Sequence, residues 1–139
     1  MWSLGCIVAE MYTGAPLFPA IDENELIEFY ELVLGNVPQK IIAQSDRRRE
    51  YFTVQDGKFV TKKSPKSRVH LVNPNTVSLI KNLFLSKKNM PSNLTDSQIM
   101  EHKTVNWHEV AMAKFIRRCL EYDPSMRIKP EEALEDPFI

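Results

Sequence analysis

The sequence has few cysteines and no metal-binding pattern, and both features exclude classes of protein. Its 139 residues contain two cysteines, Cys6 and Cys119, which lie in apolar stretches without a paired spacing. That usage fits buried thiols in a reducing compartment better than a disulfide, and no C-x-x-C or H-E-x-x-H pattern occurs. We therefore expect no metal site in this chain, and an intracellular location, cytoplasmic or nuclear.

An excess of charge and a long apolar run are also absent. The chain carries 18 Lys and Arg against 18 Asp and Glu, so no overall field draws it to nucleic acid or to an acidic membrane. No apolar run reaches the ~20 residues of a membrane-spanning helix, and no cation precedes the first apolar stretch as in a signal peptide. We expect a globular chain with no membrane segment and no nucleic-acid partner.

What is present begins with an apolar helix over residues 1–14. Only Ser3, Glu10 and Thr13 interrupt its apolar residues, and Gly14 is a typical helix-ending glycine. A helix without a polar face must be buried on every side. The pattern therefore predicts a core helix whose surroundings must be supplied by other parts of a chain.

A second helix is predicted from Asp22 to Gly35. Asp22 can cap it, and Glu25 is placed to reach back and complete a capping box. One face is apolar and the opposite face is acidic, so one side faces water or a partner. The apolar face consists of Leu26, Ile27, Tyr30, Val33 and Leu34, and the acidic face of Glu23, Glu28 and Glu31. Pro38 can begin a short third helix.

The segment 46–103 has the character of an insertion between helices. Asp56-Gly57 separates two short β-prone runs and predicts a hairpin. Asn73-Pro74 predicts the start of a helix that continues to Phe84, and residues 86–103 predict a flexible loop. A basic stretch follows the hairpin turn and comprises Lys58, Lys62, Lys63, Lys66 and Arg68.

Helical signals return at Asn106, which forms a predicted capping pair with Glu109. Pro130 predicts the start of a last short helix that ends at Asp136-Pro137. The apolar stripe between them consists of Met112, Ala113, Ile116, Cys119 and Leu120. The fold class predicted is mainly α, with a small β-hairpin in the insert.

Four stretches, in order and at compatible distances, resemble the end of a eukaryotic protein kinase catalytic domain. The stretches are Trp2-Ser3-Leu4-Gly5-Cys6, Gly14-x-Pro16-Leu17-Phe18-Pro19, Cys119-Leu120-Glu121-Tyr122-Asp123-Pro124-x-x-Arg127 and Ala133-Leu134-x-x-Pro137-Phe138. The first two stretches and the long insert resemble the CMGC group. Ser45-x-Arg47-Arg48, Phe52 and Asp56-Gly57 are most similar to the dual-specificity tyrosine-regulated (DYRK) kinases. The homeodomain-interacting and pre-mRNA-processing kinases are alternatives within the group.

The resemblance implies that residues 1–139 form part of the large, C-terminal lobe of a protein kinase-like fold, with 46–103 as an insert. In that family the first helix is the central buried helix of the lobe, and an Asp normally stands just before the Met-Trp pair. Because the sequence starts one residue after that position, we expect an incomplete kinase domain whose preceding part is missing.

The motifs that carry phosphoryl transfer do not occur in the sequence. Chemistry of this class needs a Gly-rich loop, a lysine on the phosphates, an Asp base and a magnesium-binding Asp. No residue here matches those positions, so we expect no catalytic residue and no bound cofactor in this chain. ATP and Mg²⁺ are implied only for the complete parent domain.

The resemblance assigns modest roles to five residues. Ile7 and Met11 match positions that support the apolar column below the adenine, although ordinary core packing is the more common explanation of an apolar stripe. Glu10 matches a position that contacts basic substrate residues, or it is simply a helix-surface acid. Trp2 is structural, and Arg127 matches the arginine that pairs with the glutamate of the absent Ala-Pro-Glu motif.

Three hypotheses follow from these residues. The first is a fragment of a serine/threonine or dual-specificity kinase that supplies scaffold and substrate platform to a protein substrate. The second is a non-catalytic docking module or pseudokinase-like fragment that uses helix 22–34 and the insert. The third, a basic nucleic-acid binder, conflicts with a basic stretch that lacks interleaved aromatics and is better explained as a solvated loop. Lys129 and Asp136 depart from the family pattern, in which Ser or Thr and His are usual.

Overall fold

The computed structural model describes residues 1–74 and 77–139 and is mainly α-helical, with one two-stranded sheet. The helices are α1 Trp2–Thr13, α2 Glu23–Leu34, α3 Gln39–Ala43, α4 Arg48–Tyr51, α5 Leu79–Phe84, α6 Asp96–Met100, α7 Trp107–Cys119 and α8 Pro130–Leu134. The strands are β1 Phe52–Gln55 and β2 Lys58–Thr61, and a 3₁₀ turn covers Val69–Leu71.

The core forms where α1 crosses α7. Gly5 lies so close to α7 that a Cβ at this position would stand 2.7 Å from the Cβ of Cys119. Two turns further on, the hydroxyl of Tyr12 donates to Glu109 Oε1 at 2.7 Å. The predicted apolar stripe of α7 is confirmed, since all five of its members are buried. The first and the last third of the chain therefore share one core.

The N-cap of helix α2 is formed as predicted, but the predicted capping box is not. The carboxylate of Asp22 accepts from the backbone N–H of Glu25 at 2.8 Å. The predicted return bond from Glu25 is wrong, because its carboxylate turns away from the cap and binds Arg68 and the N–H of Ile21. Glu25 is 0% exposed, so this buried acid holds the insert against α2.

The predicted hairpin is confirmed. Strands β1 and β2 pair antiparallel from Phe52 opposite Thr61 to Gln55 opposite Lys58. Asp56 and Gly57 both have positive φ, at 50° and 75°, as the two central residues of a type I′ turn require. The hairpin is tied to α3 through the side chain of Gln39, which exchanges two hydrogen bonds with the backbone of Phe59.

The second half of the insert differs from its prediction. Helix α5 begins at Leu79 with Ser78 as its cap, and not at Asn73-Pro74; residues 75 and 76, within the predicted helix, lie outside the described residues. The predicted loop over 86–103 is wrong, because it contains α6 with a capping box between Thr95 and Gln98. Ile99 is 0% exposed, so this part of the insert contributes to the core.

The two C-terminal helices begin where they were predicted to begin, but α7 ends at Cys119 and α8 at Leu134, short of the predicted ends. The capping pair of Asn106 and Glu109 is confirmed in both directions. Helix α8 starts at Pro130. Asp136, which departs from the family pattern, accepts from Arg118 at 2.6 Å and thereby joins the end of the chain to α7.

Candidate functional site

Residues from three of the quoted stretches meet around Trp2 at the N-terminal end of α1. Its indole lies 5.2 Å from the ring of Tyr30 in an edge-on arrangement, and 6.3 Å from Phe18 in a stacked one. Tyr122 lies 6.1 Å away on another side. Burial raises the pKa of both Tyr30 and Tyr122, so their phenols stay neutral. The fold thus brings distant motifs into one aromatic cluster.

Arg127 completes this aromatic cluster. Its guanidinium lies over the Trp2 ring at 5.3 Å and donates to the backbone carbonyls of Glu121 at 2.9 Å and Tyr122 at 3.3 Å. These carbonyls follow the end of α7, where a cation is favourable. Sequence reasoning linked Arg127 only to a glutamate outside this sequence and missed these partners, because backbone acceptors leave no sequence signal.

The sequence-predicted site residues of α1 lie together on its outer face. Ile7, Glu10, Met11 and Gly14 line an open hollow of about 370 Å³. Ile7 is 53% exposed and Met11 is 81% exposed. Helix α1 is thus not buried on every side within this chain. Its apolar outer face stands open, with the carboxylate of Glu10 beside it.

The two thiols have no reactive surroundings. Cys119 is buried against α1, and burial raises its pKa. Burial also raises the pKa of the half-buried Cys6, so both thiols stay protonated at neutral pH. Neither cysteine is a candidate nucleophile.

The acidic face of α2 contacts the insert. Glu23 binds both Arg47 and the Tyr51 hydroxyl, and the Glu28 carboxylate accepts from the N–H of Ser64 at 3.2 Å. The Ser64 hydroxyl in turn donates to the cap residue Asp22 at 2.5 Å. These carboxylates therefore hold the insert in place.

The basic stretch of the insert is partly used in the same way. Arg68 binds the buried Glu25, and the Lys62 ammonium donates to the backbone carbonyl of Arg49 at 2.6 Å. Sequence reasoning treated Arg68 as a member of a solvated loop. Its actual partner lies far away in the sequence, and no local pattern marks the pair.

The family is decided by comparison of the whole chain with known proteins. The model of the protein kinase domain matches residues 1–139. The chain belongs to the protein kinase family. The DYRK resemblance and the fold class, a partial and mainly α kinase lobe, are confirmed by this match and by the relatives that follow.

Three relatives illustrate the match, and each aligns with the whole chain. It is 34% identical to dual specificity tyrosine-phosphorylation-regulated kinase 4 of Homo sapiens, covering 22% of that protein. It is 32% identical to kinase 2 of the same name from Drosophila melanogaster, covering 16% of it. It is 33% identical to the serine/threonine-protein kinase ppk5 of Schizosaccharomyces pombe, covering 14% of it. The chain thus spans less than a quarter of each relative's length.

The described residues do not fit the phosphates of ATP or Mg²⁺, which the family implies for a complete domain. Magnesium bound to ATP is held by carboxylate or amide oxygens together with the phosphates. The hollow on α1 offers a single carboxylate, that of Glu10, beside apolar side chains. Across residues 1–74 and 77–139, no three His, Cys, Asp or Glu side chains are grouped as metal ligands.

In the part of the chain that the structure describes, no helix combines the length and the apolar character needed to cross a bilayer.

Proposed function

We propose that this chain is the scaffold and substrate platform of a DYRK-like serine/threonine or dual-specificity kinase. The complete protein would transfer the γ-phosphate of ATP to hydroxyl groups of protein substrates, with Mg²⁺ as its ion. The observation that carries the proposal is the open apolar face of α1. Family membership of the chain makes a preceding kinase segment the natural cover for this face.

The exposed face of α1 is more apolar than a surface that normally contacts water. Leu4, Ile7 and Met11 occupy successive turns and are 39%, 53% and 81% exposed. Covering an aliphatic side chain of this size is worth up to ~1.5–3 kcal/mol. The other side of the same helix is packed on α7, so the face is rigid before any partner arrives. It is suited to support the apolar floor of an adenine site.

Glu10 supplies the polar element of the platform. It lies between Ile7 and Met11 on the same exposed face, at the edge of the hollow. A carboxylate beside an apolar surface attracts a cation. We propose that it contacts a basic residue of the protein substrate.

The docking-module hypothesis lacks a comparable observation. Its proposed surface was the acidic face of α2, and Glu23 and Glu28 on this face bind residues of the insert. The kinase-platform proposal therefore explains more of the molecule.

The experiment uses the chain alone and a chimera. In the chimera, the part of the human relative's kinase domain that precedes the matched region is fused before residue 1. We expect no Mg²⁺-dependent transfer of labelled phosphate by the chain alone, and transfer by the chimera. Ile7→Lys with Met11→Lys should lower the chimera's activity by at least about tenfold, the effect of losing roughly 1.4 kcal/mol.

The matched control is Leu134→Lys with Val54→Lys, two aliphatic residues that are 77% and 66% exposed elsewhere. This control should retain activity. Phosphate transfer by the purified chain alone would contradict the proposal. The proposal would also be contradicted if the chimera folds cooperatively and the α1 variant and the control change its activity equally.

A further inference from the structure

On the side opposite its buried core face, helix α7 carries a stripe of exposed and half-buried residues. Trp107, Val110 and Ala111 begin this stripe, and Lys114 and Arg118 continue it at the spacing of one helical face. Trp107 is 72% exposed, although large aromatic side chains are usually covered. The stripe therefore places the exposed Trp107 ring on the same helix face as the cations of Lys114 and Arg118.

Two adjoining hollows follow the stripe. One, of about 330 Å³, lies among Trp107, Val110, Ala111 and Pro137. The other, of about 400 Å³, includes Met100 in its lining. Lys114 and Arg118 line both hollows. Together they form a groove along α7, which we call the α7 groove.

The α7 groove has more positive than negative charge. Lys114, Arg117 and Arg118 line it, and Asp136 is its acidic residue. Both oxygens of Asp136 are engaged, one by Arg118 and one by the N–H of Phe138. Lys114 and Arg117 make no ion pair with a carboxylate among the described residues.

Arg117 also borders a third hollow, whose lining includes Glu31 and Asp96. Its guanidinium donates instead to the backbone carbonyl of Leu34 at 3.4 Å. The Asp96 carboxylate accepts from the Ser78 hydroxyl at 2.7 Å. Among the described residues no carboxylate forms an ion pair with Arg117, so its positive charge is available to an anion.

We propose that the α7 groove binds an acidic peptide segment of a partner protein, anchored by one or two apolar side chains. The apolar side chain enters the hollow beside Trp107, and its flanking carboxylates pair with Lys114 and Arg117. Such a surface combines an aromatic anchor with charge complementarity, which together give specificity. The site is independent of the α1 face and of any phosphoryl transfer.

The size of the groove sets the length of the peptide. Helix α7 has 13 residues and is about 20 Å long. An extended chain advances about 3.3 Å per residue, so six to eight residues span the helix, by a rough estimate. A short linear segment is sufficient, and no folded partner domain is needed.

The test uses the full chain and a blocked peptide of about eight residues in which glutamates flank two leucines. Binding is followed by anisotropy of the labelled peptide and by the change in Trp107 fluorescence. We expect saturable binding that weakens as salt is raised. Replacing both leucines by serine, or all glutamates by lysine, should each abolish measurable binding.

Variants of the chain locate the site. Lys114→Glu with Arg117→Glu should weaken peptide binding by at least about tenfold, because two attractive contacts become repulsive. Trp107→Ser should weaken it and remove the fluorescence change. The matched control, Lys58→Glu with Lys66→Glu, alters exposed cations of the insert equally and should bind like the unmodified chain. Circular dichroism verifies that every variant keeps its helical content.

Three outcomes would overturn the proposal. Equal binding of the leucine and serine peptides would show that charge alone attracts them. Equal loss in the control variant would place binding on the insert. A single-stranded oligonucleotide that binds through Lys114 and Arg117 while the peptide does not would make the groove a nucleic-acid surface.

Discussion

Arg68 donates hydrogen bonds to both carboxylate oxygens of Glu25, each at 3.2 Å, across 43 residues of sequence. The backbone N–H of Arg68 adds a bond of 2.8 Å to the same carboxylate. Glu25 is 0% exposed, and the second guanidinium nitrogen also reaches the carbonyl of Pro19. One side-chain pair thus joins α2, the turn before it and the insert.

Glu25→Gln should lower the melting temperature of the chain by several degrees. The amide keeps the shape of the side chain but removes its charge and one acceptor, and it leaves the Arg68 guanidinium partly unpaired. Glu31→Gln on the same helix is the matched control and should leave the melting temperature unchanged. Equal melting temperatures for both variants would show that the Glu25–Arg68 pair does not stabilise the fold.

The same pair predicts a loss of stability in acid. The Arg68 side chain lowers the pKa of Glu25 from its ordinary value of 4.5 to about 2. A lowered native pKa contributes stability that is complete above the unfolded pKa and is lost as the pH falls toward the native value. Denaturant unfolding should therefore show a free energy that declines from about pH 5 toward pH 2, and the slope should be smaller in Glu25→Gln. Identical slopes would contradict this assignment.

Gly5→Ala should destabilise the chain by roughly 1–3 kcal/mol, the cost of overpacking a core. The added Cβ would lie 2.7 Å from Cys119 Cβ and 3.2 Å from two atoms of Leu120. Ser3→Ala, an exposed change on the same helix, should cost little. Combining Gly5→Ala with Cys119→Gly should recover part of the lost free energy of unfolding. If the effects of the two substitutions simply add in this double-mutant cycle, the contact between residues 5 and 119 does not cause the loss.

Gly57→Val should disrupt the hairpin and leave the helices intact. Gly57 has a φ of 75°, which costs other residues roughly 1–2 kcal/mol, and more when they are β-branched. No heavy atom lies within 4 Å of a Cβ placed there, so the effect comes from the backbone alone. Amide shifts of Phe59 should move while those of α7 stay. Asp56→Asn, which tolerates positive φ, should preserve both sets.

The open face of α1 should make the isolated chain bind apolar dyes and self-associate. Ile7→Lys with Met11→Lys should reduce both effects, because exposed apolar patches of this kind drive association. Light scattering and dye fluorescence measure the change, and Leu134→Lys serves as the control. A monomeric chain that binds no dye and melts cooperatively would show that Met1–Ile139 is self-sufficient.

Local signals in the sequence predicted most of the helices and the hairpin. The residues of the capping pair Asn106–Glu109 and of the turn Asp56–Gly57 lie within four positions of each other. The local sequence is therefore sufficient to predict the helix start and the turn. Helix α6 was missed because it has a single fully buried residue, Ile99, and no apolar stripe. The start of α5 was misplaced because Asn73-Pro74 and Ser78 are equally good helix-start signals.

The candidate site was predicted less completely than the fold. Ile7 and Met11 were expected to support the apolar column below the adenine and Glu10 to contact basic substrate residues, and the structure places all three around one hollow. The sequence predicted that other parts of a chain must cover α1, but an apolar pattern does not state which of its faces stays open. The Glu25–Arg68 pair and the α7 groove depend on residues far apart in the sequence, and only the packed fold brings them together.

The contact between Tyr12 and Glu109 spans 97 residues and has a consequence for biosynthesis. Translation proceeds at roughly 5–20 residues per second, so α1 leaves the ribosome roughly 5–20 s before α7 is complete. Throughout that interval the side of α1 that packs on α7 has no native partner. A chaperone can therefore act on this side of α1 until α7 arrives.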